Sequence, residues 1–135
     1  MNKFFTQAQH NSEFLNLIDK QFPDTFFDWK ITVLFYVSIH LLKCLGAKRG
    51  VNIGDTHHEI QSSLDPKRCG NKQIFPFPEK VWIAYRRIHQ YSKSSRYDGI
   101  EDEKIVIAAQ KKDYEECLKH FAHLIAYMKS QDIIL

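Results

Sequence analysis

Residues 29–47, WKITVLFYVSIHLLKCLGA, form the stretch around which the rest of this chain must pack. Apolar side chains occupy nearly the whole helical circumference here, which is typical of a helix enclosed by other helices. The uninterrupted apolar part, residues 31–42, is shorter than the about 20 residues that a membrane-spanning helix needs. The stretch therefore predicts the central helix of a helical bundle and no membrane segment.

One side of this helix carries a stripe of residues at helical spacing, and a single imidazole is set into it. The stripe consists of Trp29, Val33, Tyr36, Val37, His40 and Cys44. We expect this stripe to be buried. His40 is then either a core histidine that is hydrogen-bonded to a neighbour or a functional imidazole that faces a pocket between helices.

The first half of the chain contains two more helices beside the central one. Residues 4–22 are amphipathic, with Asn11 or Ser12 as possible caps and Pro23 as the stop signal. The pair Asp24-Thr25 offers caps for the central helix, and Gly50 is expected in the left-handed conformation after its end. A capping box of Thr56 and Glu59 predicts a short third helix over residues 56–64.

The second half of the chain contains two helices. Pro78 is well placed to begin a fourth helix over residues 79–96, and Phe75 and Phe77 just before it are expected to pack against the bundle. The last helix is clear over residues 111–130, whereas residues 104–108, KIVIA, fit either a strand or the first turns of that helix. The sequence thus predicts an all-α, up-down four- to five-helix bundle in a single domain over residues 1–135.

Composition sets broad limits on function. The formal net charge of +3 permits nucleic-acid binding without arguing for it, because phosphate binders cluster their positive charge. The three cysteines are an odd number without metal-type spacing, and no signal peptide pattern follows Met1. We therefore expect a cytoplasmic protein with reduced thiols. Cys117, His120 and His123 do not fit zinc, since positions six apart on a helix do not share a ligand easily, so we expect no metal and no cofactor.

A clustered basic and aromatic surface is predicted on the fourth helix. It consists of Trp82, Arg86, Arg87, His89, Lys93 and Arg96. Such a face suits phosphates and stacked bases, although it is equally the solvated side of an ordinary helix. His57 and His58 begin the third helix, and since adjacent helical residues diverge by about 100°, at most one of them can point at the same site as His40.

Three short motifs resemble the HEPN superfamily (higher eukaryotes and prokaryotes nucleotide-binding), in particular its small stand-alone bacterial members. The motifs are Tyr36-x-x-x-His40, then His57 or His58 with Glu59, then Ser92 or Ser95 with Arg96 and Tyr97. The resemblance covers roughly residues 10–130. It implies an α-helical bundle that is often dimeric, and an association with RNA, nucleotides or toxin–antitoxin and defence systems.

Many HEPN members are metal-independent ribonucleases, and the resemblance leaves catalysis open here. Their site has an arginine four to six residues before a histidine, often extended as His-x-Tyr. His89-Gln90-Tyr91 matches the second half of that site, whereas Trp82, Ile83 and Ala84 stand where the arginine would be. His40 as a base and Arg96 as a cation would still supply the residue types that ribose-assisted cleavage needs.

Three functional hypotheses follow. The first is a module that binds RNA or a nucleotide phosphate in a pocket lined by Tyr36, His40, His57, Arg96 and Tyr97. The second is an endoribonuclease with His40 or His89 as the base and Arg96 or Arg86 as the phosphate ligand. The third is an interaction subunit that pairs with itself or with another protein through the aromatic residues at positions 4–5, 26–27 and 75–77.

Overall fold

A computed structural model describes residues 2–68 and 72–135, and over this range the chain forms five helices and no strand. The helices are α1 (Lys3–Gln21), α2 (Phe27–Lys48), α3 (His57–Leu64), α4 (Glu79–Ser94) and α5 (Glu103–Ser130). The predicted all-α class is confirmed. Cys69 lies outside the described residues, while Cys44 and Cys117 are free and buried.

Helix α2 is the central element of the fold. It packs against α1, α4 and α5. Its side chains Ile31, Leu34, Leu41 and Leu42 are completely buried. By length and composition alone α2 could cross a membrane, although its uninterrupted apolar part, residues 31–42, predicted no membrane segment. Of the most apolar window of α2, 61% is buried inside the fold. Burial of this kind is typical of the core helix of a bundle.

The prediction that the Trp29–Cys44 stripe is buried is wrong for four of its six residues, including the half-buried Val33. Trp29 is 58% exposed and Tyr36 is 50% exposed. His40 is half-buried, whereas Val37 and Cys44 lie in the core. The physical reason is that α1, α4 and α5, the helices that pack against α2, leave open the side that carries Trp29 and Tyr36. The apolar character of that open side therefore does not serve the core.

The first two helices begin differently from the prediction. Asn11 and Ser12 lie inside α1, which is capped by Asn2, whose side chain accepts a hydrogen bond of 2.9 Å from the backbone N–H of Phe4. The Asn2 amide also donates to the Cys44 carbonyl, which ties the start of α1 to α2. Neither Asp24 nor Thr25 caps α2, because Phe26 occupies the N-cap position in a left-handed conformation (φ 59°).

The remaining predicted boundaries agree closely with the structure. The backbone N–H of Glu59 donates to Thr56 Oγ1 over 3.2 Å, so the capping box is confirmed, and Gly50 has a positive φ of 73°. Residues 104–108 belong to the first turns of α5. Phe75 and Phe77 are buried, as predicted. Helix α4 ends two residues early, since the Ser95 hydroxyl donates to Asp113 of α5.

Candidate functional site

Two histidines from different helices stack face to face where α2, α3 and α4 meet. The rings of His57 and His89 have centroids 3.6 Å apart and are inclined by 18°. His57 Nδ1 lies 2.9 Å from the Tyr85 hydroxyl. We call this group the histidine–aromatic cluster; it consists of Phe35, His57, Trp82, Tyr85 and His89.

The loop before α3 fixes the position of His57. Gly54 has a φ of 109°, and a Cβ on it would lie 2.4 Å from the Cβ of Glu59. The absence of a side chain at Gly54 therefore lets the loop close against the first turn of α3. Together with the Thr56 cap this closure starts α3 at His57 and directs that imidazole toward α4.

Both stacked imidazoles are held in their neutral form. Burial, with smaller contributions from the nearby His57 and Lys93, lowers the pKa of His89 to about 4. Burial also lowers the pKa of His57, with smaller contributions from Lys93 and His58. A neutral pair can stack without charge repulsion, and each neutral imidazole keeps one donor and one acceptor nitrogen.

A basic stripe runs along α4 past the cluster. Its members follow one another at steps of four and three residues, which places the four within α4 on one side of that helix, while Arg96 lies just beyond its end. We call Trp82, Arg86, His89, Lys93 and Arg96 the α4 stripe. Lys93 and Arg96 are exposed, and neither has an ion-pair partner within residues 2–68 and 72–135. The stripe thus offers two free positive charges to a ligand.

Two buried donors of the α4 stripe have no acceptor. Trp82 Nε1 and Arg86 Nε are both inaccessible to solvent, and no hydrogen-bond partner for either lies in the described part of the chain. Buried polar groups are nearly always paired in proteins, and each unpaired donor costs about 1–3 kcal/mol. Both groups are donors, so this end of the stripe holds buried N–H groups for which the described chain supplies no acceptor.

An exposed aromatic ring extends the cluster toward solvent. The ring of Tyr36 lies 5.6 Å from that of Phe35, and Phe35 lies 4.9 Å from the ring of His89. The rings of Tyr36, Phe35, His89 and His57 thus form a continuous row from the open side of α2 to α3. Because Tyr36 is half-exposed, its face is available to another planar group.

The residues predicted to form one pocket do not lie together. Tyr36 and His57 belong to the row of rings described above, whereas Arg96, His40 and Tyr97 lie elsewhere. Arg96 lines a small cleft with Trp29 and Thr32. His40 lies eight residues beyond Thr32, about 12 Å along the helix axis. The Nδ1 of His40 instead donates to the Tyr36 carbonyl over 2.7 Å. The structure therefore does not bring His40 and Arg96 into one pocket.

Tyr97 lies apart from both the histidine–aromatic cluster and the cleft of Arg96. Its hydroxyl donates to Asp113 Oδ2 over 2.5 Å, and this hydrogen bond is the main reason that the pKa of Tyr97 is raised to about 12. Asp113 also accepts from Ser95, so it anchors the chain after α4. Tyr97 thus serves the connection to α5 and does not line the cluster that contains His57 and His89.

The sequence identified His57, His89, Tyr36 and Arg86 but not the ring contacts that join them. Nothing in the spacing shows that a residue of α3 stacks on one of α4. The spacing of Tyr85 and His89 does indicate part of this arrangement, since residues one helical turn apart face the same neighbour.

The described residues hold no group of three histidine, cysteine or acidic side chains that could bind a metal. Cys117 is buried, and this burial raises the pKa of its thiol to about 12, so the thiolate that metals prefer is disfavoured. His120 and His123 lie elsewhere, on a surface pocket beside Val81.

No protein-family profile, curated protein or solved structure matches this chain. The resemblance to the HEPN superfamily therefore stays a prediction.

Proposed function

We propose that this protein binds single-stranded RNA along the seam between α2 and α4. The observation that carries the proposal is the α4 stripe, which combines three positive charges with two rings and begins with two buried donors without an acceptor in the described chain. Single-stranded nucleic acids are bound by this combination of cationic groups, which contact the phosphates, and aromatic groups, on which bases stack.

Each part of the seam has a role in this binding. Lys93 and Arg96 are exposed and contact phosphates, while Arg86 supplies further donors where its Nε has no acceptor. Tyr36 stacks on a base. The neutral imidazoles of His57 and His89 present donors and acceptors to base edges or to the ribose hydroxyl.

The same geometry favours binding without efficient cleavage. A histidine whose pKa is about 4 is a weak base at neutral pH and is almost never protonated as an acid. The cation expected beside His40, Arg96, lies along the helix near Trp29 and Thr32. The alternative of a metal-independent endoribonuclease would need these groups to move together.

Binding is tested by fluorescence anisotropy with a labelled single-stranded RNA oligonucleotide. The double variant Lys93→Ala/Arg96→Ala should bind at least about tenfold more weakly, because it removes two phosphate contacts. Its affinity should also depend less on salt, with the log–log slope smaller by about 1.4, at about 0.7 for each phosphate. Both side chains are exposed, so the variant should fold.

The matched control is Lys111→Ala/Lys112→Ala, which removes the same charge from exposed positions of α5. An equal loss in both double variants would reduce the effect to net charge and would contradict the proposed site. Incubation of RNA with excess protein in a chelator separates binding from cleavage. Specific cleavage that is lost in His89→Ala or His40→Ala would replace our proposal with the endoribonuclease.

A further inference from the structure

An apolar groove opens between α1 and α2. It has a volume of about 370 Å³. Its lining consists of Phe14, Leu17, Ile18, Gln21, Phe22, Phe26, Trp29 and Val33. Gln21 is the one polar residue among them, and none is charged. The groove therefore has almost nothing with which to bind a polar or charged ligand.

The large side chains of the groove are exposed to an unusual degree. Leu17 is 56% exposed, Trp29 58%, Phe14 53%, and Phe22 and Phe26 are each 45% exposed. At about 200 Å² for an aromatic side chain, the four aromatic residues alone leave roughly 400 Å² of apolar surface open to water. Contiguous apolar patches of this size on soluble proteins usually mark interaction sites.

The backbone at the edge of the groove is strained in a way that keeps these rings outside. Phe26 has a φ of 59°, a left-handed conformation that costs a non-glycine residue about 1–2 kcal/mol. In this conformation its ring packs edge-to-face on Phe22, with the centroids 5.0 Å apart. Strain that holds two phenylalanine rings at the surface does not serve the core of this chain.

We infer that a second copy of this chain docks on the groove. A standard interface buries about 800 Å² of each partner, of which about 65% is apolar in homodimers, so roughly 400 Å² of aromatic surface plus Leu17 and Val33 is close to what a stable dimer needs. A two-fold contact sets this surface against itself. Because its lining is uncharged, such a contact opposes no like charges, and it supplies the apolar partner that the groove requires.

The test is the molar mass in solution by sedimentation velocity between about 1 and 100 μM. The chain has a mass of 16.0 kDa, and we expect a concentration-dependent species of twice that mass. Leu17→Glu should weaken the dimer at least about 30-fold, since it sets two carboxylates in the apolar centre. Ile105→Glu on α5 is the matched control, because Ile105 is 58% exposed and lies outside the groove.

Tryptophan fluorescence gives a second readout. Trp82 is 1% exposed in the monomer, so a red shift on dilution reports Trp29 as it leaves the interface for water. A mass of one chain at every concentration would overturn the inference and assign the groove to a different occupant. A dimer that Ile105→Glu disrupts and Leu17→Glu does not would overturn it equally, because the contact would then use another face.

Discussion

At the scale of one residue, Lys30 is a lysine in an environment that is unusual for its residue type. It is completely buried on α2, with its Nζ 3.4 Å from Asp19 and donating to the Phe22 carbonyl. Its ammonium also lies 4.6 Å from the centroid of the Phe27 ring. A buried ammonium needs such partners, and they come from α1, the following turn and α2 itself. No pattern around Lys30 in the sequence announces them.

The stacked histidines give a prediction at the same scale. Their folded-state pKa values lie below the ordinary 6.5, so the unfolded chain takes up protons that the folded chain refuses. The contribution of this pair to the free energy of unfolding is therefore fully present above about pH 6.5 and is lost as the pH falls toward 4. After allowance for solvent screening we expect the loss to reach about 1–2 kcal/mol.

This loss is measured by urea unfolding at several pH values. The double variant His57→Gln/His89→Gln should show a smaller fall in the free energy of unfolding between pH 6.5 and 4 than the unaltered chain. His120, whose pKa is also lowered by burial, remains in both proteins and cancels in the comparison. Identical pH profiles would mean that the stacked pair is not held neutral by the fold.

At the scale of the element, α3 depends on a glycine for its position. Gly54 and Gly50 both have positive φ values, but only at Gly54 would a Cβ meet a neighbour, the Cβ of Glu59 at 2.4 Å. Gly50→Ala should cost about 1 kcal/mol from conformation alone. Gly54→Ala should cost about 2–3 kcal/mol, because it adds a clash within the first turn of α3.

The measurement pairs urea unfolding with the NMR titration of the histidine rings. Gly54→Ala should raise the pKa of His89 toward its ordinary value, since displacement of α3 carries His57 away from it. Gly50→Ala should leave that titration unchanged. Equal costs in both variants, with His89 unaffected in each, would show that the loop before α3 does not position the cluster.

The elements also show which features the sequence could predict. The Thr56 cap, Gly50 after α2 and the long last helix are decided by neighbours a few residues away, so local patterns suffice. The exposure of Trp29 and Tyr36 depends on how many helices surround α2. The spacing of apolar residues within α2 does not predict how many helices pack against it. The capping by Asn2 likewise depends on a distant bond to Cys44.

At the scale of the whole molecule, the two sides of α2 serve different contacts. The seam with α4 carries the positive charges and rings of the proposed RNA site, while the groove with α1 is uncharged. His57 and His89 come from separate helices, and helical periodicity within each helix does not show how the two helices pack against each other. Trp29 borders both surfaces, since it lines the cleft of Arg96 and the apolar groove.

This division predicts that self-association and RNA binding can be removed separately. Leu17 lies on α1. The affinity of the Leu17→Glu variant for a short RNA oligonucleotide should therefore stay within about twofold of that of the unaltered chain. Lys93→Ala/Arg96→Ala should leave the mass distribution in sedimentation unchanged. The triple variant should show both losses. Trp29→Ala should weaken both processes, because that indole is common to the two surfaces. If Leu17→Glu abolished binding of the short oligonucleotide, the RNA site would have to be built from both copies, and the seam of a single chain would not suffice.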